Sequence, residues 1–244
     1  MLKSSATERQ ETIEIEPAIE HPRIIKSYVV RSGRMTPGQE KSYAELWQRY
    51  GIEADKRLLD FSRLYKNQAP LILEIGFGMG DSLIEMARSN PDNNYLGIEV
   101  HKPGVGRLLG NIDGQSLENL RVMRADAVEV LKSQIADKSL SAVYLFFPDP
   151  WHKRRHNKRR IVKDDFIQLI RKKLQSHGQF HMATDWKDYA VQMLKEMNGA
   201  SGFKNCSDNG DYIPRPEHRP MTKFERRGER LGHGVWDILF EKTN

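Results

Sequence analysis

The segment Leu71-Ile-Leu-Glu-Ile-Gly-Phe-Gly-Met-Gly-Asp81 constrains this chain more than any other. A short apolar run with no polar alternation marks a strand buried on both faces, as in a parallel sheet. Glycines at 76, 78 and 80 follow at once, and they let the backbone turn sharply and let a ligand approach it. Leu83, Ile84 and Ala87 then carry helical spacing from about Asp81. Strand, glycine turn and helix N-terminus form the first half of a nucleotide-type site, with helix N–H groups facing the ligand. The alternative is a glycine turn that holds nothing.

The glycine spacing separates two cofactor classes. A dinucleotide fingerprint, G-x-G-x-x-G, needs its third glycine where Asp81 stands, and here that glycine falls at 80. The pattern is E-x-G-x-G-x-G from Glu74, which disfavours a nicotinamide oxidoreductase and resembles motif I of class I S-adenosylmethionine methyltransferases.

Beyond the turn, strands are expected at 95–99, 120–124, 141–147, 178–183 and 235–240. Helices are expected from near 103 to 109, over 128–135, over 164–175, and around Tyr189 to Leu194. This alternation predicts an α/β fold, a parallel sheet with helices on both faces. Upstream, Thr36-Pro-Gly-Gln39 is a capping box that opens a helix to about Arg49. Residues 24–34, with Lys26, Arg31 and Arg34 among β-formers, read as an arm lying on the domain, and residues 1–22, polar and glutamate-rich, as a mobile tail. A length of 244 residues fits one domain over 23–244. One cysteine, Cys206, excludes an intramolecular disulfide and a multi-cysteine zinc site, and no metal is expected. The chain has no signal-peptide pattern and no 18-residue apolar run, so the expectation is a cytoplasmic protein with no membrane partner.

Ligands of an open parallel sheet sit beyond the carboxyl ends of the strands. Glu74 and the glycines end the first strand of this unit, and Glu99, 23 residues after Gly76, ends the second. An acid there can accept from both ribose hydroxyls. Asp126 ends the third strand; it can accept from an adenine amino group or cap the next helix. Asp149 ends the fourth, between Pro148 and Pro150, as a site residue or as a turn former. Acidic strand ends suit a sulfonium and an ammonium and repel a pyrophosphate.

A basic run, Trp151-His-Lys-Arg-Arg-His-Asn-Lys-Arg-Arg160, starts directly after that strand end, and six of its ten residues are Lys or Arg. Charge runs are often plain solvated faces; beside a site mouth, a cationic loop reads as a clamp on a phosphate backbone. Arg215, Arg219, Lys223, Arg226, Arg227 and Arg230 form a second basic stretch. Lys+Arg exceed Asp+Glu by only 39 to 33, a net charge of +6, so placement matters more than amount. Trp151, Trp186, Tyr212 and Phe224 are candidate platforms for unpaired bases, or ordinary packing residues.

The segments 74–80, Phe146 to Arg160, Ala183-Thr-Asp-Trp186 and Thr222-Lys-Phe-Glu225 together resemble bacterial tRNA (guanine-N7-)-methyltransferases of the TrmB family, and the likeness runs from about residue 24 to the end. It implies a class I methyltransferase (Rossmann-like) fold, with a mostly parallel seven-stranded sheet whose last strand is antiparallel. It implies S-adenosylmethionine held by Glu74, Gly76, Gly78, Gly80, Glu99, Asp126 and Asp149, with Asp149 catalytic. It implies tRNA contacts from Lys153, Arg155, His156, Asn157, Lys158, Arg159 and Arg160, and from Asp185, Thr222, Lys223, Phe224 and Glu225. The implied target is N7 of a guanine in the tRNA variable loop. No obligatory protein partner is implied, and monomer and homodimer both stay open. Methylation of another nitrogen, and RNA binding without catalysis on the same scaffold, are the rival readings.

Overall fold

The computed structural model describes residues 26–29, 33–222, 225 and 234–244. Five apolar runs become parallel neighbours in one sheet: β2 (Leu71–Ile75), β3 (Asn94–Glu99), β4 (Leu120–Arg124), β5 (Leu140–Phe146) and β6 (Leu174–Thr184). Every residue of β2 and β3 is buried, which is why these strands read as continuous apolar runs. β1 (Gly51–Ile52) pairs parallel with β4, while β8 (Trp236–Lys242) lies antiparallel between β6 and β7 (Phe203–Asn205). The strand order is β1-β4-β3-β2-β5-β6-β8-β7. The implied antiparallel strand is therefore β8, inserted one place in from the edge. The expected seven strands become eight through the two-residue β1, too short to leave a periodic signal.

Helices cover both faces. α5 (Ala127–Ser133), α6 (Asp164–Lys173) and α7 (Lys187–Asn198) bury Leu131, Ile167 and Tyr189 against Leu73, Ile75 and Ile98. α1 (Pro37–Tyr50), α3 (Asp81–Ser89) and α4 (Lys102–Gly114) bury Tyr50, Leu83 and Leu108 against Ile72, Tyr95 and Val122. The short α2 (Phe61–Tyr65) adds Tyr65, whose hydroxyl donates to the Tyr95 carbonyl at 2.6 Å. The capping box forms as expected: Thr36 Oγ1 accepts from Gln39 N–H at 3.3 Å, and Gln39 Oε1 accepts from Thr36 N–H at 2.9 Å. The chain runs from β2 outward through β3 and β4, then crosses back to β5 and β6. That reversal opens a crevice at the carboxyl ends of β2 and β5.

Alternation along β2 sends Ile72 and Glu74 to the α3 side and Leu73 and Ile75 to the other. Glu74 is 2% exposed there. Its Oε1 accepts from Ser82 Oγ at 3.3 Å, and its Oε2 has no partner. Burial pushes its pKa up to about 8; the Ser82 bond opposes the shift and the Glu99 charge adds to it. An unfolded glutamate titrates near 4.5. From there to about 8, the folded protein keeps a proton that the unfolded chain has released. Stability should therefore fall as pH rises through this window, by at most about 1.4 kcal/mol per pH unit. Urea denaturation at several pH values should show that slope, and Glu74→Gln should flatten it. Equal slopes in both proteins would mean that Glu74 is ionised when folded.

Candidate active site

A cleft of about 440 Å³ lies in the crevice, and the carboxyl ends of β2, β3, β4 and β5 all reach it. Its floor is the glycine turn. Gly76 and Gly78 have φ of +76° and +58°, and nothing stands within 4 Å of a Cβ at either position. The left-handed backbone, not crowding, is what requires glycine there. Crowding acts from the other side: a Cβ at Gly104 of α4 would lie 1.9 Å from the Gly78 carbonyl oxygen. The sequence reading passed over Gly104 because it sits inside a helix, away from any turn signal.

Glu99 ties this turn to the β3–α4 connection. Its carboxylate accepts from Gly78 N–H at 2.9 Å, Val100 N–H at 2.6 Å and His101 N–H at 2.9 Å. A carboxylate has about four acceptor sites, so these bonds leave room for roughly one ligand donor. Asp126 realises its cap: Oδ1 accepts from Val128 N–H at 3.0 Å, while Oδ2 accepts from the Tyr28 hydroxyl at 3.1 Å. Ser27, Tyr28 and Val29 line the cleft. Trp151 Nε1 donates to the Ser27 carbonyl at 3.0 Å. Residues 27–29 thus lie against the domain and close one wall of the site. Glu74 and Gly80 do not line the cleft. Glu74 faces Ser82 behind the turn, and Gly80, at φ +80°, caps α3.

Asp149 stands exposed at the outer edge of the cleft. Its loop is bracketed by two non-glycine residues in the left-handed region, Phe147 at φ +51° and Trp151 at φ +50°. Such geometry is costly and persists only where the surroundings fix it. Asp185 is exposed just past the end of the neighbouring strand, β6. Asp185 does not line the cleft, but the contact between His152 and Trp186 sets its loop beside the one that carries Asp149. Trp186, 38% exposed, lies edge-on to His152 at 4.2 Å. Trp151 is instead engaged, with the Arg159 guanidinium 4.8 Å above its ring. Tyr212 packs near Trp236.

The basic run winds into a 3-10 helix, Arg154–Arg159. Lys153, Arg155 and Lys158 are exposed; His156, Asn157 and Arg159 are half-buried. Burial lowers the His156 pKa, with the charges of Arg155, Arg159, Lys153 and Lys158 adding to that, so its ring offers hydrogen bonds rather than charge at neutral pH. Arg160 departs from the expected RNA face. It is buried and donates to Pro150 O, Gln192 Oε1 and Asp188 Oδ2.

Glu225 also departs from the expected RNA face. Glu225 is buried, and Arg219 donates to its two oxygens at 2.7 and 2.6 Å. Thr222 N–H donates to Glu225 Oε2 at 3.3 Å, and Glu225 N–H to Thr222 Oγ1 at 3.1 Å. This is the reciprocal geometry of a capping box, and T-x-x-E was its signal in the sequence. Arg219 also donates to Asp237 through Nε and Nη2, at 2.6 and 2.8 Å. Burial opposes ionisation of Asp237, yet the His181 and Arg219 contacts outweigh it and lower its pKa. The carboxylate then accepts from His181 Nε2–H at 2.9 Å, which leaves His181 Nδ1 to accept from His218 Nε2–H at 3.0 Å. Arg219 therefore belongs to the interior, not to a basic surface. Lys223, Phe224, Arg226, Arg227, Arg230, Arg31 and residues 1–22 lie outside the described residues.

The parts brought together are a glycine-floored cleft with acidic walls, the exposed Asp149 carboxylate at its edge, and a cationic turn beside it. Residues 68–238 match the family model described as "Putative methyltransferase". The chain is 55% identical to the tRNA (guanine-N(7)-)-methyltransferase of Hydrogenovibrio crunogenus, covering 91% of this chain and 93% of that one. It is 56% identical to the protein of the same name from Salmonella typhimurium, covering 91% and 92%. Among solved structures, the 16S rRNA methyltransferase KamB superposes with a TM-score of 0.57 at 16% identity, covering 77% of this chain and 95% of that one. The 16S rRNA (adenine(1408)-N(1))-methyltransferase of Catenulisporales acidiphilia gives 0.52 at 12% identity, covering 76% and 92%. Identities this low carry the fold alone. The sequence relatives carry more, because they match at more than half of the aligned positions across nine-tenths of the chain. This chain belongs to the tRNA (guanine-N(7)-)-methyltransferase family.

Proposed function

We propose that the chain transfers the methyl group of S-adenosylmethionine to N7 of a guanine in the variable loop of tRNA. The observation that carries this reading is the charge of the cleft. Its described lining holds three carboxylates, Glu99, Asp126 and Asp149, and no Lys or Arg, whereas the basic run begins within a few residues of Asp149. A cationic cofactor suits the first environment and a polyanion the second. A volume of about 440 Å³ falls within the usual range of small-molecule sites.

When bound, S-adenosylmethionine supplies an electrophilic methyl group on its sulfonium. Gly76 and Gly78 bring bare backbone to it, Glu99 keeps acceptor capacity for a ribose hydroxyl, and the Oδ2 side of Asp126 faces the cleft beside Tyr28. Ile75, Ile98 and Leu145 flank the space as apolar walls. Guanine N7 has an in-plane lone pair and no proton to lose, so the residues need to align rather than deprotonate. Alignment alone is worth on the order of 7 kcal/mol or more. Asp149 either accepts from guanine N1–H and the exocyclic amine or offsets positive charge as it develops on the purine. Asp185, exposed past the end of the neighbouring strand, would take the other task, and Trp186 would offer a face for a splayed base. Lys153, Arg155, Lys158 and Arg159 hold the phosphate backbone. Residues 23–244 act as one methyltransferase domain in this reading, and a tRNA substrate puts the protein in the cytoplasm.

Labelled S-adenosylmethionine and unmodified tRNA should yield 7-methylguanosine on digestion; label in any other nucleoside would overturn the reading. Asp149→Ala should lower kcat and kcat/KM together while both ligands still bind. Asn keeps an acceptor and loses the charge. An Asn variant as poor as Ala would assign Asp149 to charge, a mildly impaired one to orientation, and normal turnover in both would remove it from the mechanism. Replacing Arg155, Lys158 and Arg159 with Ala should weaken tRNA binding. The log–log salt slope should fall by roughly 0.7–0.9 per lost phosphate contact, with cofactor affinity unchanged. An unchanged slope would make the run a solvated face.

A further inference from the structure

Arg160 ends the basic run and behaves unlike the rest of it. It is 3% exposed, which a residue holding tRNA phosphates cannot be. Three of its five N–H donors are committed: Nε to the Pro150 carbonyl at 2.8 Å, Nη1 to Gln192 Oε1 at 2.7 Å, and Nη2 to Asp188 Oδ2 at 2.6 Å. The guanidinium also lies 4.7 Å over the Tyr189 ring. Its backbone N–H donates to Asn157 O at 3.0 Å, at the close of the 3-10 helix.

These partners have different jobs. Pro150 follows Asp149 directly, in a loop whose ends, Phe147 and Trp151, both adopt left-handed backbone. Asp188, Tyr189 and Gln192 belong to α7, which begins two residues after Asp185. The same side chain therefore clasps the loop that carries Asp149 and the helix that follows Asp185. We propose that Arg160 is a positioning residue, not an RNA contact: it sets Asp149 and Asp185 at a fixed separation. This rests on the guanine-methylation reading, because it assigns the two carboxylates to one substrate. A fork of N–H groups can serve a carbonyl, an amide oxygen and a carboxylate at once. Lysine presents one compact ammonium in its place and cannot span the three.

Removing Arg160 strands no buried anion, since the Asp188 side chain is 69% exposed, so the variants should fold. The experiment compares the full-length wild type with Arg160→Lys, Arg160→Ala and Arg159→Ala. It reads turnover at saturating tRNA, tRNA affinity across salt concentrations, and unfolding temperature. Arg160→Lys and Arg160→Ala should lose turnover on the order of a hundredfold, the effect of a small misalignment. Their tRNA affinity and salt slope should stay at wild-type values. Added guanidinium ion should restore part of the turnover of Arg160→Ala by refilling the vacated place. Arg159→Ala should do the reverse, losing affinity and slope. Gln192→Ala, which loosens the clasp from the α7 side, should lower turnover less than Arg160→Ala and also spare affinity. The proposal is overturned if Arg160→Lys loses salt slope as Arg159→Ala does, or if the Arg160 variants turn over at the wild-type rate. Wild-type turnover tests the function and the variant-to-wild-type ratio tests the clasp, so the two fail separately.

Discussion

Three backbone N–H groups converge on the Glu99 carboxylate, and the cleft depends on that convergence. One donor, Gly78, belongs to the glycine turn after β2; the other two, Val100 and His101, open the connection to α4. Bonds of this charge-assisted kind are worth about 1.5–3 kcal/mol each, enough to hold a left-handed turn against the end of the neighbouring strand. Once the turn is fixed there, α4 must pass close to it, and only a residue without a Cβ fits at 104, where the Gly78 carbonyl would be 1.9 Å from a side chain. The acid at the end of β3 is thus structural before any ligand arrives. Whatever it gives a ribose comes from the acceptor capacity left over.

The clearest strands in the sequence, β2 and β3, are those buried on both faces, because full burial leaves an uninterrupted apolar run. β2 and β4 match their expected limits residue for residue, β3 starts one residue earlier, and β5 is shifted by one residue at both ends. β1 and β7 were missed for the same physical reason: two or three residues at a sheet edge bury too little to impose a pattern. The site was legible in part. Which residues end each strand could be read, since the C-terminal edge of a parallel sheet is where ligands sit. Which way each side chain points could not be read so well. Glu74 was grouped with Glu99 and Asp126 by position, yet the two-residue alternation of β2 sends it to the far face, beside Ser82. Counting that alternation against Leu73 and Ile75 would have shown it.

Charge runs misled in another way. Sequence lists cations, and only packing says which of them meet water. Arg160 and Arg219 lie in the two basic stretches and are both buried, each with several acceptors gathered around it. Glu225 was read as a substrate contact, and it is the counter-charge of Arg219. A buried arginine needs this much company, because an unpaired charge in the interior costs more than any single contact returns. So the first basic stretch holds exposed cations, among them Lys153, Arg155 and Lys158, beside the buried Arg160, and the described part of the second holds the buried Arg219.

Chemistry that only requires alignment makes the buried cations as consequential as the exposed ones. In the proposed reaction N7 of guanine needs no base, so alignment rather than a reactive side chain would carry the chemistry. Asp149 sits on a loop with two strained residues, and strain of that kind relaxes unless it is opposed. The opposition is visible on each side. Trp151 is pinned to the arm through Ser27, Pro150 to α7 through Arg160, and Phe147 to β6 through its N–H bond to the Ala183 carbonyl at 2.8 Å. The Arg219 guanidinium also packs 5.6 Å from the Phe147 ring, which connects the Thr222–Glu225 segment to the same loop. Arg160 and Arg219 thus both bear on the Asp149 loop from the interior, one through Pro150 and the other through Phe147.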